Sequence, residues 1–378
     1  MPQNERRRVL LLIPHLGGGG AERVTAQLAR GLSRDKYDVH LGVVTQGAVP
    51  AEPAGEGVAI HALGARRVRA GSRELLWLVR RLAPDAVLSG MAHLNFLVLL
   101  LRPLFPRKTR VIVRQDGTAS AALESGGLPP YTRLLYRGTY RFADRVVCQT
   151  EAMAADLARV AGVAASRLTV LPNPVDVKAI RARALEEIGR EARPERTAGG
   201  PHLLAVGRLS KEKGFDLLLE ALARVRESFP GADLTIAGTG NGEMALRSQC
   251  GALGLDGAVH FAGHVDDVTA CFAGAPVFAL SSRHEGMPNA LLEAAAAGLP
   301  IVALPSSEGV VDLLRGQPGA WLAPEISAVA LAASLQDALA ALKPGQRFAH
   351  EFVEPFGFDR AIAAYEALID SVLDEARR

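Results

Sequence analysis

Two successive runs of short apolar segments alternating with longer amphipathic ones limit this chain's fold more than any other feature. In the first run, residues 9–13, 39–45, 86–89, 111–113 and 146–148 read as buried strands, with a further strand expected at 58–63. Helical periodicity is clearest between them at 21–32, 74–82 and 152–161. The turn sequence Leu171-Pro172-Asn173-Pro174 closes this run, and a charged stretch at 180–195 leads to a loop near 197–201. The alternation then restarts, with strands expected at 202–206, 233–237, 258–262, 277–280 and 301–303. Helices are expected at 215–228, 243–253, 289–297 and 327–342. Strands alternating with helices make βαβ units, and hence mostly parallel sheets covered on both faces. The expected fold class is α/β, two Rossmann-like doubly wound domains facing across a cleft, residues 1–175 and 176–358. A last helix at 359–376 can pack on either.

Length agrees with two domains, because 378 residues exceed one ordinary core. With 49% hydrophobic and 22% charged residues, the composition is globular rather than disordered. Cys148, Cys250 and Cys271 lie far apart with no CxxC pair, which argues against a disulfide framework or zinc site and fits a reducing cytoplasm. Arg6, Arg7 and Arg8 before an apolar run imitate an export signal. That run is short and leads into four glycines without a cleavage pattern, so a first strand is the better reading. The apolar stretch 94–101 is far below the roughly 20 residues needed to span a bilayer. The net charge of +3 conceals an asymmetry: residues 1–178 hold 25 Lys and Arg against 14 Asp and Glu, and the remainder 18 against 26. The first half therefore either meets something anionic or carries a solvated arginine-rich surface.

Open parallel sheets bind ligands outside the carboxyl ends of their strands, which directs attention to three loops. The first, Gly17-Gly18-Gly19-Gly20-Ala21-Glu22-Arg23, lets backbone N–H groups approach a phosphate or sugar at a helix amino terminus, or simply makes a tight turn. A dinucleotide fingerprint would want glycine or alanine at Glu22 and an acid at Thr45 or Gln46, so NAD binding is disfavoured. The second, Val206-Gly207-Arg208-Leu209 with Lys211, Lys213 and Gly214, sets two cations, Arg208 and Lys213, after a strand and before a helix. Lysines there oppose the helix dipole, whereas a diphosphate ligand gives them a purpose. The third runs from Ser281 to Ala294, with Glu285 in the loop, Pro288 at the helix start and Glu293 in its second turn. Two carboxylates separated by seven residues can hold two different polyols, a sugar and a ribose. The N–H groups of Met287, Asn289 and Ala290, on either side of Pro288, suit a phosphate. His284-Glu285 is not a zincin motif, because the second histidine falls at Pro288.

The order of these elements resembles family 4 of the retaining glycosyltransferases, which have the GT-B fold. The glycine run with Ala-Glu-Arg, Leu-Pro-Asn-Pro-Val-Asp at 171–176, Gly-Arg-Leu with Lys-Gly at 207–214, and Glu285–x7–Glu293 carry the likeness across nearly the whole chain. The resemblance implies that Gly17, Gly18 and Gly19 approach the donor and that Arg208 and Lys213 bind its diphosphate. Glu285 is then expected on the transferred sugar and Glu293 on the ribose, with Asn173 among the donor-binding residues. Gly238 and Val265 are expected to border the base, and the closing helix to cross back onto the first domain. Many relatives carry a histidine or glutamate after the fifth strand, where this chain has Arg114-Gln115-Asp116-Gly117. Gln115 or Asp116 is a candidate for sugar or acceptor positioning, as is His93, which can equally pack beneath the helix at 94–101.

No pair of carboxylates identifies itself as nucleophile and acid, and no Asp-x-Asp metal motif occurs. The resemblance implies same-face attack with the leaving diphosphate taking the acceptor proton, with no metal and no cofactor. The expected partners are a nucleotide-sugar donor, a UDP-sugar by preference, and a saccharide or lipid-linked acceptor. A sugar-nucleotide epimerase, a phosphorylase and a non-enzymatic membrane-surface protein remain as alternatives. Only 5% of residues are aromatic, and no basic–aromatic platform appears, which argues against nucleic acid. Arginines at 66, 67, 69, 73, 80, 81, 102, 107 and 110, with Lys108, lie near Leu101, Leu104 and Phe105. Such a surface suits an anionic cytoplasmic leaflet, so the expected location is cytoplasmic and peripheral to the membrane.

Overall fold

The computed structural model describes residues 6–15, 20–46, 55–124, 131–188, 200–265, 267–273, 277–343 and 345–375. The chain divides into two compact units, residues 1–174 with 358–378 and residues 175–357.

The first unit holds seven parallel strands: β1 (Arg7–Ile13), β2 (Tyr37–Thr45), β3 (Ala59–Ala65), β4 (Ala86–Gly90), β5 (Arg110–Arg114), β6 (Arg145–Cys148) and β7 (Leu168–Val170). Their order is β3-β2-β1-β4-β5-β6-β7. Helices α1 (Gly20–Gly31), α2 (Ser72–Leu82), α3 (Ala92–Leu101), α4 (Ala119–Glu124), α5 (Thr132–Thr139) and α6 (Glu151–Ala161) intervene. The side-chain alternation of a strand sorts the core into two layers. Leu10 and Leu12 of β1 face the cluster containing Leu75, Leu78, Leu94, Val98 and Leu157. Val9, Leu11 and Ile13 face the cluster built from α1 and the chain's last helix.

The second unit holds six parallel strands: β8 (His202–Val206), β9 (Asp233–Ala237), β10 (Val259–Gly263), β11 (Val277–Leu280), β12 (Ile301–Ala303) and β13 (Ala320–Leu322), in the order β10-β9-β8-β11-β12-β13. Its helices are α7 (Val177–Ile188), α8 (Phe215–Ser228), α9 (Glu243–Ala252), α10 (Thr269–Ala273), α11 (Asn289–Ala296), α12 (Glu308–Leu314) and α13 (Ala328–Ala341). Ser307 and Ser327 cap α12 and α13 by accepting from Val310 N and Ala330 N, which satisfies one orphan amide in each.

The closing helix α14 (Phe358–Glu375) belongs to the first unit, where Ile362, Tyr365, Ile369 and Val372 enter the core. Gly31 of α1 admits it: a Cβ there would stand 2.4 Å from Ile362. Arg7 anchors its far end, donating to Asp370 at 2.6 Å and Asp374 at 2.7 Å. Edge strands β7 and β13, three residues each, escape detection by periodicity because so short a segment has no pattern. The charged stretch at 180–195, to which periodicity assigned no element, begins within α7.

Each sheet reverses its strand order once, between β1 and β4 in the first and between β8 and β11 in the second. Loops leaving those strands diverge to opposite faces, which opens a crevice at their carboxyl ends.

Candidate functional site

In the second unit, the reversal brings together the loops that follow β8 and β11. After β8, Gly207 N donates to Ala237 O at 2.9 Å and Leu209 N to Thr239 O at 2.9 Å, so the Arg208 loop is held against the segment after β9. That approach requires Gly238, whose φ is +144° and whose Cβ would lie 1.9 Å from Gly207 O. Arg208 is exposed, and its guanidinium makes no hydrogen bond or ion pair among the described residues. A single turn at Lys211–Lys213 then ends in Gly214, at φ +62°, before α8. A Cβ on Gly214 would stand 2.0 Å from Ser281 O, so only glycine lets the two loops meet.

Lys213 Nζ donates to Glu285 Oε1 at 2.6 Å, and Ser282 Oγ donates to the same oxygen at 2.6 Å. Glu285 keeps only 7% of its side chain exposed, and Oε2 has no hydrogen bond within the described residues. Ser281 Oγ donates to Lys213 O at 2.9 Å, and Arg283 grips Asp216 at the start of α8 with two bonds of 2.7 Å. Desolvation raises the Asp216 pKa, but the Arg283 bond and charge, with the backbone amides of Asp216 and Leu217, together lower it more, so the carboxylate sits below its ordinary range. This fork fastens the Glu285 loop to the Lys213 loop. Asp216 lies outside the three motif loops, and Ser282 and Arg283 lie in the third without a role assigned from sequence, because the spacing of Asp216 and Arg283 carries no signal of their contact. Pro288 is the N-cap of α11 and, as proline, offers no side-chain cap, so the helix start at Met287, Asn289 and Ala290 presents the amino-terminal dipole to an anion. Glu293 lies half-buried one turn further on. Val265 is half-buried against the core that includes Leu280 and Leu291.

In the first unit the glycines expected at the donor, Gly17, Gly18 and Gly19, lie outside the described residues. Just beyond them, Glu22 in the first turn of α1 is buried and stands 3.5 Å from His15 Nδ1. Arg114, 1% exposed at the end of β5, directs one terminal nitrogen to Asp116 Oδ1 and the other to Asn173 Oδ1. Burial works against its charge, but Asp116 and Tyr365 outweigh it and raise the guanidinium pKa. Met91, between β4 and α3, has φ +71°, a strain of about 1–3 kcal/mol for a residue with a side chain. Its N–H donates to Asp116 Oδ2 at 2.5 Å. Burial pushes the Asp116 pKa up, with Arg114 and the Met91 amide opposing it.

His93 occupies the first turn of α3 and is exposed, so it does not pack beneath that helix. Partial desolvation and the nearby His15 lower its pKa, while Asp116 and Glu22 act the other way. His93 and Asp116 thus share one electrostatic neighbourhood at the carboxyl edge of the sheet. Gln115 points inward instead. Its amide donates to Gly117 O at 2.9 Å and accepts from Tyr140 at 2.6 Å, committing it to the buried layer around Tyr136. Asn173 is likewise buried, at 2%, and serves Arg114. Among the described residues no cluster of three or more His, Cys, Asp or Glu groups is placed to hold a metal.

Residues 18–179 match the family model described as Glycosyltransferase Family 4, and residues 200–341 the one described as Glycosyl transferases group 1. The chain belongs to this family of glycosyltransferases. LpsE, a lipopolysaccharide core biosynthesis glycosyltransferase of Rhizobium meliloti strain 1021, is 34% identical over 49% of this chain and 49% of its own. The Campylobacter jejuni N-acetylgalactosamine-N,N'-diacetylbacillosaminyl-diphospho-undecaprenol 4-alpha-N-acetylgalactosaminyltransferase is 26% identical over 80% of this chain and 82% of its own. The chain spans 34%, 49% and 60% of the length of three curated relatives, from Haemophilus influenzae, R. meliloti and Methanocaldococcus jannaschii. Among solved structures, sucrose-phosphate synthase from Thermosynechococcus elongatus has a TM-score of 0.81 at 16% identity, covering 98% of this chain and 100% of its own. Anabaena HepE, in complex with UDP and glucose, has a TM-score of 0.73 at 17% identity, with 98% of each chain covered. At such identities the likeness is one of fold, and the fold of this glycosyltransferase-family chain is GT-B.

Proposed function

We propose that this family member is a retaining glycosyltransferase. It moves a hexose or N-acetylhexosamine from a nucleotide sugar, by preference a UDP-sugar, to a lipid-linked saccharide during synthesis of cell-surface polysaccharide or glycolipid. The observation that carries this reading is the Lys213–Glu285 pair on the loops after β8 and β11, with the exposed Arg208 on the first of those loops, at the strand reversal of the second sheet.

In this reading Arg208 and Lys213 receive the donor diphosphate, with the amino terminus of α11 adding its dipole. Glu285 accepts from hydroxyls of the transferred sugar through the oxygen that Lys213 and Ser282 leave open, and Glu293 from the ribose. The bond between the anomeric carbon and the diphosphate oxygen breaks as the acceptor hydroxyl attacks from the same face. Its proton passes to the leaving diphosphate, and the anomeric configuration is kept. The protein contributes orientation and charge stabilisation, and no metal or cofactor is required. His93 and Asp116 are the acceptor-side candidates, since both lie at the carboxyl edge of the first sheet.

The C. jejuni relative's activity on a diphospho-undecaprenol-linked saccharide supports a lipid-linked acceptor, and the R. meliloti relative's place in lipopolysaccharide core biosynthesis agrees with it. The basic first half supports peripheral residence on an anionic cytoplasmic leaflet, and no helix of the described residues is long and apolar enough to cross a membrane. The deciding experiment measures nucleoside diphosphate released from UDP- and GDP-sugars, with and without EDTA, in wild type, Glu285→Ala and Arg208→Ala. EDTA-resistant release lost in both variants supports the reading. Release that EDTA abolishes removes metal independence, and a product of inverted anomeric configuration removes retention.

A further inference from the structure

The amino-terminal edge of the first sheet carries a concavity that the transfer reaction does not use. Arg102, Arg107, Arg110, Arg141, Arg145 and Arg167 line one cavity of about 840 Å³. Arg110 and Arg145 are the first residues of β5 and β6, whereas Asp116 follows the carboxyl end of β5. A strand of that length separates the two edges by roughly 13 Å at about 3.3 Å per residue.

Two carboxylates share the cavity with these six cations. Asp144 accepts from Arg102 at 3.3 Å and Arg110 at 3.2 Å, and Glu375 from Arg145 at 2.5 Å. Arg167 is turned to main-chain carbonyls, those of Arg141 at 2.6 Å and Ala143 at 3.4 Å. Arg107 and Arg141 are exposed and form no ion pair among the described residues. Arg110 Nε is buried without a hydrogen-bond partner. Like charges crowded into one concavity repel until an anion enters, and low-dielectric walls strengthen its attraction. Guanidinium forks match phosphate oxygens two at a time. Phe142, 37% exposed with Arg141 stacked on its ring at 4.8 Å, gives an apolar surface beside the charges.

We propose that this cavity binds a phosphate-bearing anion, either a lipid headgroup or a soluble phosphate ester. Arg107 and Arg141 hold its phosphate, and Phe142 lies against its carbon skeleton. The site is independent of the transfer reaction, and its test reads binding rather than turnover.

The test uses the full chain carrying Arg208→Ala and Lys213→Ala, so that the two donor-side cations do not contribute. The probes are inorganic pyrophosphate, followed by calorimetry, and phosphatidylcholine vesicles with or without phosphatidylglycerol, followed by cosedimentation. Addition of Arg107→Ala and Arg141→Ala is expected to weaken binding by about tenfold or more, equivalent to roughly 1.4 kcal/mol. Arg133→Ala with Arg159→Ala, an equal loss of exposed charge elsewhere on the unit, is expected to leave it unchanged. Vesicle binding that behaves this way assigns a lipid headgroup, and pyrophosphate binding alone assigns a soluble ester. Equal weakening by both pairs, insensitivity to the Arg107 and Arg141 changes, or no binding of either probe overturns the proposal. Wild-type donor turnover, measured separately, decides the transferase reading whichever result is obtained.

Discussion

Lys213 and Glu285, 72 residues apart, meet through a 2.6 Å hydrogen bond in which the ammonium donates to the same carboxylate oxygen that Ser282 uses. The contact leaves Glu285 Oε2 without a partner among the described residues and fixes the direction it faces. Glu285→Gln keeps the shape but removes the charge that orders Lys213. The expected outcome is a loss of about 10²–10³ in kcat for donor turnover, with KM changed less, in steady-state release of nucleoside diphosphate.

Arg208 presents the opposite case, a cation with no hydrogen bond or ion pair of its own among the described residues. Arg208→Ala is expected to change stability by no more than about 0.5 kcal/mol, as exposed substitutions do, while activity falls by about 10² or more. Thermal melting and kinetics on one preparation separate the two effects.

Gly214 is where backbone geometry and site geometry coincide. Gly214→Ala must accept a left-handed φ of +62° and a Cβ 2.0 Å from Ser281 O. A destabilisation of about 2–4 kcal/mol is expected, read as a lowered urea midpoint with little change in slope. Activity in the folded fraction should also fall, because Ser281 cannot retreat without moving Ser282 and Glu285.

Stability should weaken on the acid side of neutrality. Burial lowers the His350 pKa from 6.5, against the Leu299 carbonyl bond that favours its charge, and burial followed by His40 and Arg81 lowers that of His61. A depressed histidine pKa means the unfolded chain binds more protons between the folded value and 6.5, so stability is complete above that range and falls as pH drops through it. Urea midpoints measured from slightly alkaline to mildly acid pH should show this fall. His350→Gln should reduce the slope, and an unchanged slope would remove His350 as a contributor.

The final helix is a structural member of the first unit, with Ile369 fully enclosed. Ile369→Ala is expected to cost about 2–5 kcal/mol through lost contacts and the cavity left behind. Differential scanning calorimetry should show the loss in the transition that contains the first unit.

Local pattern alone carried the α/β class, the positions of most strands, and the placing of Arg208, Lys213 and Glu285 in loops after strands of the second unit. Strand length, helical period and turn residues are short-range properties, and every one of them is present in a window of a few residues. The three-residue edges β7 and β13 lay below that window. Periodicity left α14 open to either unit and only the family resemblance pointed to the first; in the tertiary structure Arg7, Gly31 and the packed face around Tyr365 hold it there. The tertiary structure also turned Gln115 inward, made Arg114 the hub between Asp116 and Asn173, and gathered six arginines at the opposite edge of the sheet. Those relations join residues tens to hundreds of positions apart. They follow from strand order and from which face each helix covers, and no local periodicity encodes either.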